Sequence, residues 1–239
     1  MNDFIHGVMR AAVETFDFPE PILEVGSYQV DGQEHMGNLR GLFPGKRYTG
    51  IDIRRGPGVD RVEDVESLPR VDASVGSVIA LNVFEHVQHF WRGFEEVQRV
   101  LRPDGLLIVS CPFHFHIHAY PSDYWRFTPE AVRLLLDRLP SKIIGYHGPC
   151  KRPLSVWALA VGPAYPQITE SQHGCFQQLI RQYARQPVRW QKSLRYRLGR
   201  LICGTGPFAP FLHAEKFETQ LIVDREMLGL GSPHPLQFG

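Results

Sequence analysis

The sequence predicts an α/β protein with a doubly wound, mostly parallel sheet and helices on both faces. Three observations predict this fold class. Short runs rich in β-branched residues alternate with helical runs from residue 22 onward, which is typical of βαβ units. The unbroken Leu-Leu-Ile-Val run at 106–109 fits a strand that is buried on both faces. Runs at 142–148 and 155–163, joined by a Pro/Lys/Arg-rich loop, favour an antiparallel last strand.

The individual elements follow from periodicity and from turn residues. A helix at 3–17 has apolar residues at helical spacing, and Pro19 and Pro21 end the pattern. Further along the chain we predict strands at 22–26, 47–53, 59–63, 77–83 and 105–111, and helices at 33–43, 90–101 and 128–138. One domain is therefore expected over 1–162. A mainly helical extension over 163–239 is expected to contribute to an acceptor site or to oligomerisation.

Composition excludes several functional classes. The 239 residues contain 26 Lys+Arg and 25 Asp+Glu, so net charge gives no nucleic-acid or membrane signal. No apolar run approaches the length of a spanning helix, and no signal peptide is evident. Four widely separated cysteines form no CxxC pair, which argues against a zinc module and a disulfide scaffold: Cys111, Cys150, Cys175 and Cys203. A cytoplasmic location and no membrane span are expected.

One segment of the extension has a local charge bias. Residues 171–214 contain no Asp or Glu, whereas Arg and Lys accumulate over 181–200 among Tyr and Trp residues. Such a segment is usually a solvated helical face. The alternative is a docking surface for a phosphate-bearing or acidic partner, or for a membrane.

Acidic residues lie at the ends of three successive predicted strands. Glu24 ends the first strand, just before Gly26, and Asp52 and Asp64 end the second and third. Ligands of doubly wound sheets bind beyond the carboxyl ends of the strands, and a glycine there lets the backbone approach the ligand closely. Two carboxylate oxygens suit a ribose diol. The pattern predicts a nucleoside-binding edge.

Six stretches together resemble a known family. They are "ILEVGS", "YTGIDI", "VEDVESLP", "LNVFEHV", "VLRPDGLLIVSCPF" and "HAYPSDYWRFTPEAV", and they cover residues 20–140. The chain resembles the class I S-adenosylmethionine-dependent methyltransferases, and within them the type-11-like branch. The resemblance implies a Rossmann-like fold and S-adenosyl-L-methionine as the cofactor.

The resemblance also implies roles for individual residues. Asp52 would bind the ribose hydroxyls, and Asp64 would face the adenine amino group. Asn82 would line the pocket near the sulfonium. The full set of implied cofactor-binding residues is Glu24, Gly26, Ser27, Asp52, Ile53, Asp64, Val65 and Asn82.

The first turn departs from the family pattern. The family's turn would have glycines at 28 and 30, where this chain has Tyr28 and Val30. A dinucleotide needs those glycines because its phosphates press against the backbone, so their absence argues against NAD. S-adenosylmethionine has no phosphate. A single glycine is then sufficient, provided that Tyr28 turns outward or onto the ligand.

The stretch "FHFHIHAYPSDYWRF" supplies the candidates for chemistry. We predict His118 as the general base, because an imidazole accepts protons near neutral pH. Asp123 would orient His118 or act as the base itself. In the resembling branch this stretch lies over the pocket, so Tyr124 is a further candidate, as is His86 of "FEHV".

Structural roles are the alternatives for these same residues. Asp123 could pair with Arg126 and cap the helix that starts near 128–129, with Trp125 and Phe127 in the core. A Glu85–His86 pair could serve only to hold its loop. Alternating histidines at 114, 116 and 118 have spacing suited to a divalent metal only if the strand continues past Pro112, so no metal site is predicted.

Together these patterns predict methyl transfer to an oxygen, less readily a nitrogen, of a small polar acceptor such as a sugar or a natural-product metabolite. Nucleic acid is an unlikely partner, and a homodimer is possible. Two alternatives stay open. One is an RNA-modifying methyltransferase that uses the basic 181–200 segment. The other is a non-catalytic scaffold, suggested by Tyr28 and Val30.

Overall fold

The structure is a computed structural model that describes residues 2–30, 32, 37–118, 122–184, 190–203 and 216–229. Its strands are β1 (Ile22–Val25), β2 (Tyr48–Asp52), β3 (Arg61–Val62), β4 (Val75–Leu81), β5 (Leu101–Pro112), β6 (Ser141–His147), β7 (Ser155–Val161) and β8 (Phe217–Val223). Its helices are α1 (Asp3–Thr15), α2 (Phe90–Val100), α3 (Pro129–Leu135), α4 (Glu170–Tyr183) and α5 (Trp190–Cys203). Short 3₁₀ turns occur at Arg40–Leu42 and Phe84–His86.

Within the described residues these strands form one sheet in the order β3-β2-β1-β4-β5-β7-β6-β8. Strands β1 to β5 run parallel, whereas β7 is antiparallel to both β5 and β6. The predicted fold class and the antiparallel strand near the chain's end are therefore confirmed. An eighth strand, β8, adds antiparallel to β6 and was not predicted.

Helices cover both faces of the sheet. On one face, apolar side chains of α2 and α3 pack against the sheet, among them Phe94, Val97 and Val132. On the other face α1 and α4 do the same, through Phe4 and Phe176 among others. Successive residues of a strand point to opposite faces, so a strand with helices on both sides must be apolar throughout. This explains the unbroken apolar run of β5.

Side chains fix where several helices begin. Asn2 caps α1 by accepting from the backbone N–H of Ile5, and Thr169 forms a capping box at the start of α4. Of the predicted helix at 33–43, positions 33–36 lie outside the described residues, Gly37 is helical, and 40–42 form a 3₁₀ turn.

The C-terminal extension contributes to the same sheet. Helix α4 packs on α1, and β8 pairs with β6. Helix α5 exposes Trp190, Arg195 and Arg197 to solvent, as a solvated basic face would. The rest of the basic segment, at 185–189, lies outside the described residues. The division at 162/163 stays a prediction.

No helix in the described part of the chain is both long and apolar enough to cross a bilayer.

Packing of α1 on the end of α4 can be tested with a pair of glycines. A Cβ at Gly7 would lie 2.6 Å from the backbone of Ala184, whereas a Cβ at Gly174 would meet nothing within 4 Å. We expect Gly7→Ala to lower the free energy of unfolding by about 1–3 kcal/mol through overpacking. Gly174→Ala should raise it by about 0.5–1 kcal/mol through helix propensity. Urea denaturation measures both, and equal effects would contradict this packing.

Candidate functional site

The turn after β1 requires a glycine at its first position. Gly26 has a φ of 74°, and its N–H donates to the carbonyl of Ile51 at 2.8 Å. A Cβ at this position would lie 2.5 Å from Cγ2 of Val83. Both the backbone conformation and the close approach of the loop after β4 therefore exclude a larger residue.

Tyr28 packs on the loop that follows β2. The guanidinium of Arg54 lies 4.4 Å from the centre of the Tyr28 ring, and a Cβ added at Gly56 would overlap that ring. The N–H of Gln29 donates to the carbonyl of Pro57 at 2.9 Å. The bulky side chain that replaces the family's glycine is thus accommodated by a glycine on the facing loop. Positions 31 and 33–36 of this turn lie outside the described residues.

The three predicted carboxylates belong to neighbouring strands: Glu24 lies in β1, Asp52 ends β2, and Asp64 lies just after β3. Glu24 is buried and accepts from the Tyr48 hydroxyl at 2.8 Å. Burial raises the pKa of Glu24 to about 7, against the opposing effect of that hydrogen bond. Asp52 accepts from the N–H of Arg54, and the exposed Asp64 accepts from the N–H of Glu66.

The other predicted cofactor residues lie around the same edge. Ile53 exposes 57% of its surface beside Asp52, whereas Val65 is buried. Asn82 follows β4 directly, and its side-chain oxygen accepts from the Ser110 hydroxyl at 3.2 Å. Tyr48, the partner of Glu24, was not anticipated from the sequence. The parallel register of β1 and β2 could have indicated it, because Glu24 pairs with Gly50, two residues further along.

Observations at this edge fit S-adenosylmethionine. The Ser27 hydroxyl is buried and has no hydrogen-bond partner among the described residues, so it offers an unused polar group beside Gly26. The Asp52 carboxylate ends β2, where two acceptor oxygens suit a ribose diol. These groups can therefore bind a ligand that has no phosphate.

A second cluster contains the predicted base. The imidazole Nδ1 of His118 lies 3.0 Å from Oδ2 of Asp123, which also accepts from the His118 backbone N–H at 2.8 Å. The His118 ring is 4.9 Å from the ring of His86. The structure thus brings together three of the four residues predicted for chemistry.

Asp123 makes the alternative ion pair as well. Both of its oxygens accept from Arg126, at 2.5 and 2.8 Å, and its side chain is only 2% exposed. The Arg126 hydrogen bonds hold the pKa of Asp123 well below its usual range. The expected cap is wrong, however. Thr128 caps α3 by accepting from the N–H of Ala131, because it directly precedes Pro129 at the first helical position.

Segment 122–127 docks on the 3₁₀ turn at 84–86. The backbone N–H groups of Tyr124 and Trp125 both point to the carbonyl of Glu85, at 2.8 and 3.3 Å. The indole of Trp125 donates to the carbonyl of Val87 at 3.0 Å. Trp125 was expected in the core but is 37% exposed, whereas Phe127 is buried as expected. Tyr124, the fourth predicted residue, exposes 47% of its surface.

His86 lies between these groups. Its Nδ1 is within hydrogen-bond distance of the Ser122 carbonyl, and its Nε2 is 3.8 Å from Oε1 of Glu85. Burial lowers the pKa of His86. The burial of Glu85 was not predicted, because "FEHV" alone does not indicate which way a glutamate on a short turn points.

The histidine alternation does not continue the strand. Strand β5 ends at Pro112, and His114 and His116 are exposed.

Cys111 is buried, and burial raises the pKa of its thiol well above the ordinary value, as expected for a small packing residue.

Comparison with known proteins identifies the domain. Residues 32–109 match the family described as "Methyltransferase domain". A Mycobacterium ulcerans protein, phthiotriol/phenolphthiotriol dimycocerosates methyltransferase 1, is 33% identical over 121 residues, which are 46% of this chain and 44% of that relative. A probable S-adenosylmethionine-dependent methyltransferase of Mycolicibacterium smegmatis is 39% identical over 66 residues, 28% of this chain and 23% of the relative. The matches thus span less than half of these relatives.

A solved structure supports the fold. It is the complex between the Haloferax volcanii Trm112 methyltransferase activator and a putative methyltransferase. The match has a TM-score of 0.51 at 16% identity, over 70% of this chain and 92% of the other. Residues 32–109 are thus similar to a methyltransferase domain, and the fold is shared with a solved methyltransferase complex.

Proposed function

We propose that this protein transfers a methyl group from S-adenosylmethionine to an oxygen, less readily a nitrogen, of a small polar acceptor such as a sugar or a natural-product metabolite. The observation that carries the proposal is the His118–Asp123 pair, 3.0 Å between Nδ1 and Oδ2, placed beside His86 beyond the carboxyl end of β4. A base is needed for a hydroxyl acceptor, because that acceptor must lose a proton.

Asp123 sets the tautomer of His118 in this proposal. An ionised Asp123 accepts the Nδ1 proton, so Nε2 is the nitrogen that takes a proton from the acceptor. The acceptor oxygen then attacks the methyl carbon while the carbon–sulfur bond breaks, and its electron pair stays on sulfur. S-adenosylhomocysteine leaves, and His118 carries the proton. Tyr124 is half-exposed and its backbone N–H donates to the carbonyl of Glu85, so in this proposal its side chain contacts the acceptor.

The preference for oxygen has separate support. The Mycobacterium ulcerans relative is named for phthiotriol and phenolphthiotriol dimycocerosates, and a triol is by its name an alcohol. A hydroxyl is a poor nucleophile until its proton is removed, which matches a site that contains a carboxylate-oriented imidazole.

Loss of the Asp52 carboxylate should weaken cofactor binding. We expect Asp52→Ala to raise the Kd for S-adenosylmethionine about 10-fold to 150-fold, as for hydrogen bonds to a charged group. Asp104→Ala is the control, because Asp104 accepts a hydrogen bond from Arg102 near the start of β5, at the edge of the sheet opposite to Asp52. Titration calorimetry measures both. Equal affinity of the two variants would contradict the placing of the ribose at Asp52.

Cofactor affinity should depend on the ionisation of Glu24. Its pKa is raised to about 7 in the unliganded protein, and the cofactor's ammonium favours the charged carboxylate. Binding therefore has to displace a proton below pH 7, so affinity should rise from pH 6 to 8 and then level off, by at most about tenfold per pH unit. In Glu24→Gln the affinity for the cofactor should not rise between pH 6 and 8 for this reason. The same pH profile in both proteins, measured by calorimetry, would rule out a role for Glu24.

Removal of the base should lower turnover without changing cofactor binding. We expect His118→Ala to reduce methyl transfer roughly 100-fold to 10,000-fold, the usual contribution of a general base. Asp123→Asn should act in the same direction. His116→Ala is the matched control, because His116 lies exposed in the same stretch. Labelled cofactor with sugar and phenolic acceptors gives the readout, and unchanged turnover in His118→Ala would exclude it as the base.

A further inference from the structure

Glu85 is an unusual group in the described part of the chain. Its side chain is completely buried, and neither carboxylate oxygen has a partner with hydrogen-bond geometry among the described residues, although the Asn82 side chain is a polar neighbour. Buried carboxylates are normally paired with a cation or fully hydrogen-bonded, because an unpaired buried charge is very unfavourable. The methyl-transfer steps described above make no use of Glu85.

Two histidines lie next to this carboxylate. Nε2 of His86 is 3.8 Å from Oε1 of Glu85, and the His118 ring is 4.9 Å from that of His86. One ligand atom from each of the three residues lies within 4.8 Å of the other two. Ligands of one metal at bond lengths of about 2.0–2.2 Å lie up to about 4 Å apart, so a movement of less than about 1 Å closes the site.

Both imidazoles are already oriented by other groups. Nδ1 of His86 meets the carbonyl of Ser122, and Nδ1 of His118 meets the carboxylate of Asp123, which Arg126 holds. An acceptor at Nδ1 leaves the lone pair on Nε2. Metal-binding histidines characteristically donate their second nitrogen to a carbonyl or carboxylate in this way.

We propose that Glu85, His86 and His118 form a binding site for a divalent transition-metal cation. Two imidazoles and one carboxylate are a donor set that suits zinc, iron(II) or manganese(II) and leaves coordination positions open. The histidine spacing at 114, 116 and 118 had indicated a different set. Only His118 of that run belongs to the cluster, because the chain leaves the strand at Pro112.

The effect of this site on methyl transfer rests on the proposed function. It also changes the role of His118. In the metal-loaded protein His118 would be a ligand rather than the base, and a bound divalent cation would supply Lewis acidity that lowers the pKa of an acceptor hydroxyl, with the proton released to solvent. Open neighbouring positions favour an acceptor with two adjacent oxygens, such as a vicinal diol or a catechol.

Zinc and cobalt(II) titrations of the full-length chain test the site. The chelator-treated protein carries Cys150→Ser and Cys175→Ser, because both thiols are exposed and could bind zinc themselves. Calorimetry with zinc chloride should show one equivalent bound with a Kd in the micromolar range or below. Cobalt(II) should give visible bands without a thiolate charge-transfer band.

Four variants locate the ligands. Glu85→Gln and His86→Ala should each weaken zinc binding at least tenfold, and Asp123→Asn about tenfold through the orientation of His118. His116→Ala should leave binding unchanged. Circular dichroism checks that each variant is folded, and His86→Ala tests the site even if Glu85→Gln fails to fold. Absence of saturable binding, or binding unchanged in both Glu85→Gln and His86→Ala, would overturn the proposal.

Methyl transfer with and without chelator separates this inference from the proposed function. Zinc binding together with chelator-sensitive transfer supports the metal site and methyl transfer, and makes His118 a metal ligand rather than the base. Zinc binding with chelator-insensitive transfer supports the site and overturns its link to catalysis. Transfer without any zinc binding overturns the site and leaves the proposed function standing.

Discussion

Parallel pairing of β1 with β2 on one side and β4 on the other is the constraint on which the site depends. Because these strands run in one direction, the residues that follow them meet at a single edge. Gly26, Asp52 and Asn82 are far apart in sequence and reach that edge for this reason alone. The hydrogen bonds from Gly26 and Ser27 to the Ile51 carbonyl then tie the first turn to β2.

The carboxylate of Asp123 holds together the cluster that contains the predicted base. Asp123 accepts from the His118 backbone, faces the His118 ring and holds Arg126, all within a segment that includes undescribed residues at 119–121. The functional and structural interpretations of Asp123 are therefore compatible. One oxygen faces His118 while both contact the guanidinium, so the ion pair with Arg126 fixes the carboxylate that orients the imidazole.

Sequence patterns predicted most of the sheet because strand burial leaves a local record in the sequence. The runs at 78–81 of β4, 106–109 of β5 and 156–161 of β7 are apolar throughout, as burial on both faces requires. The position of Asp52 follows from the same logic. Strand β8 has no such run, because it lies at the sheet's edge and none of its residues is fully buried.

Features that depend on tertiary contacts escaped prediction for a physical reason. Trp125 reads as a core residue, yet its indole N–H requires an acceptor and finds the Val87 carbonyl near the surface. The burial of Glu85 depends on segment 122–127 folding over the turn at 84–86, which is more than 35 residues away along the chain. Local periodicity carries no information about such a contact.

Tyr28 packs against Arg54 and Gly56 on the loop after β2. The residue that has to be a glycine is therefore at position 56 of that loop, and not at position 28 of the first turn. In the family that the sequence resembles, the additional glycines lie in the turn after the first strand, at the positions of Tyr28 and Val30. Here the Tyr28 ring contacts the loop after β2, so the turn after β1 and that loop pack against each other. Relatives that keep an aromatic residue at the position of Tyr28 should accordingly keep a residue without a side chain at the position of Gly56, and the two positions should vary together.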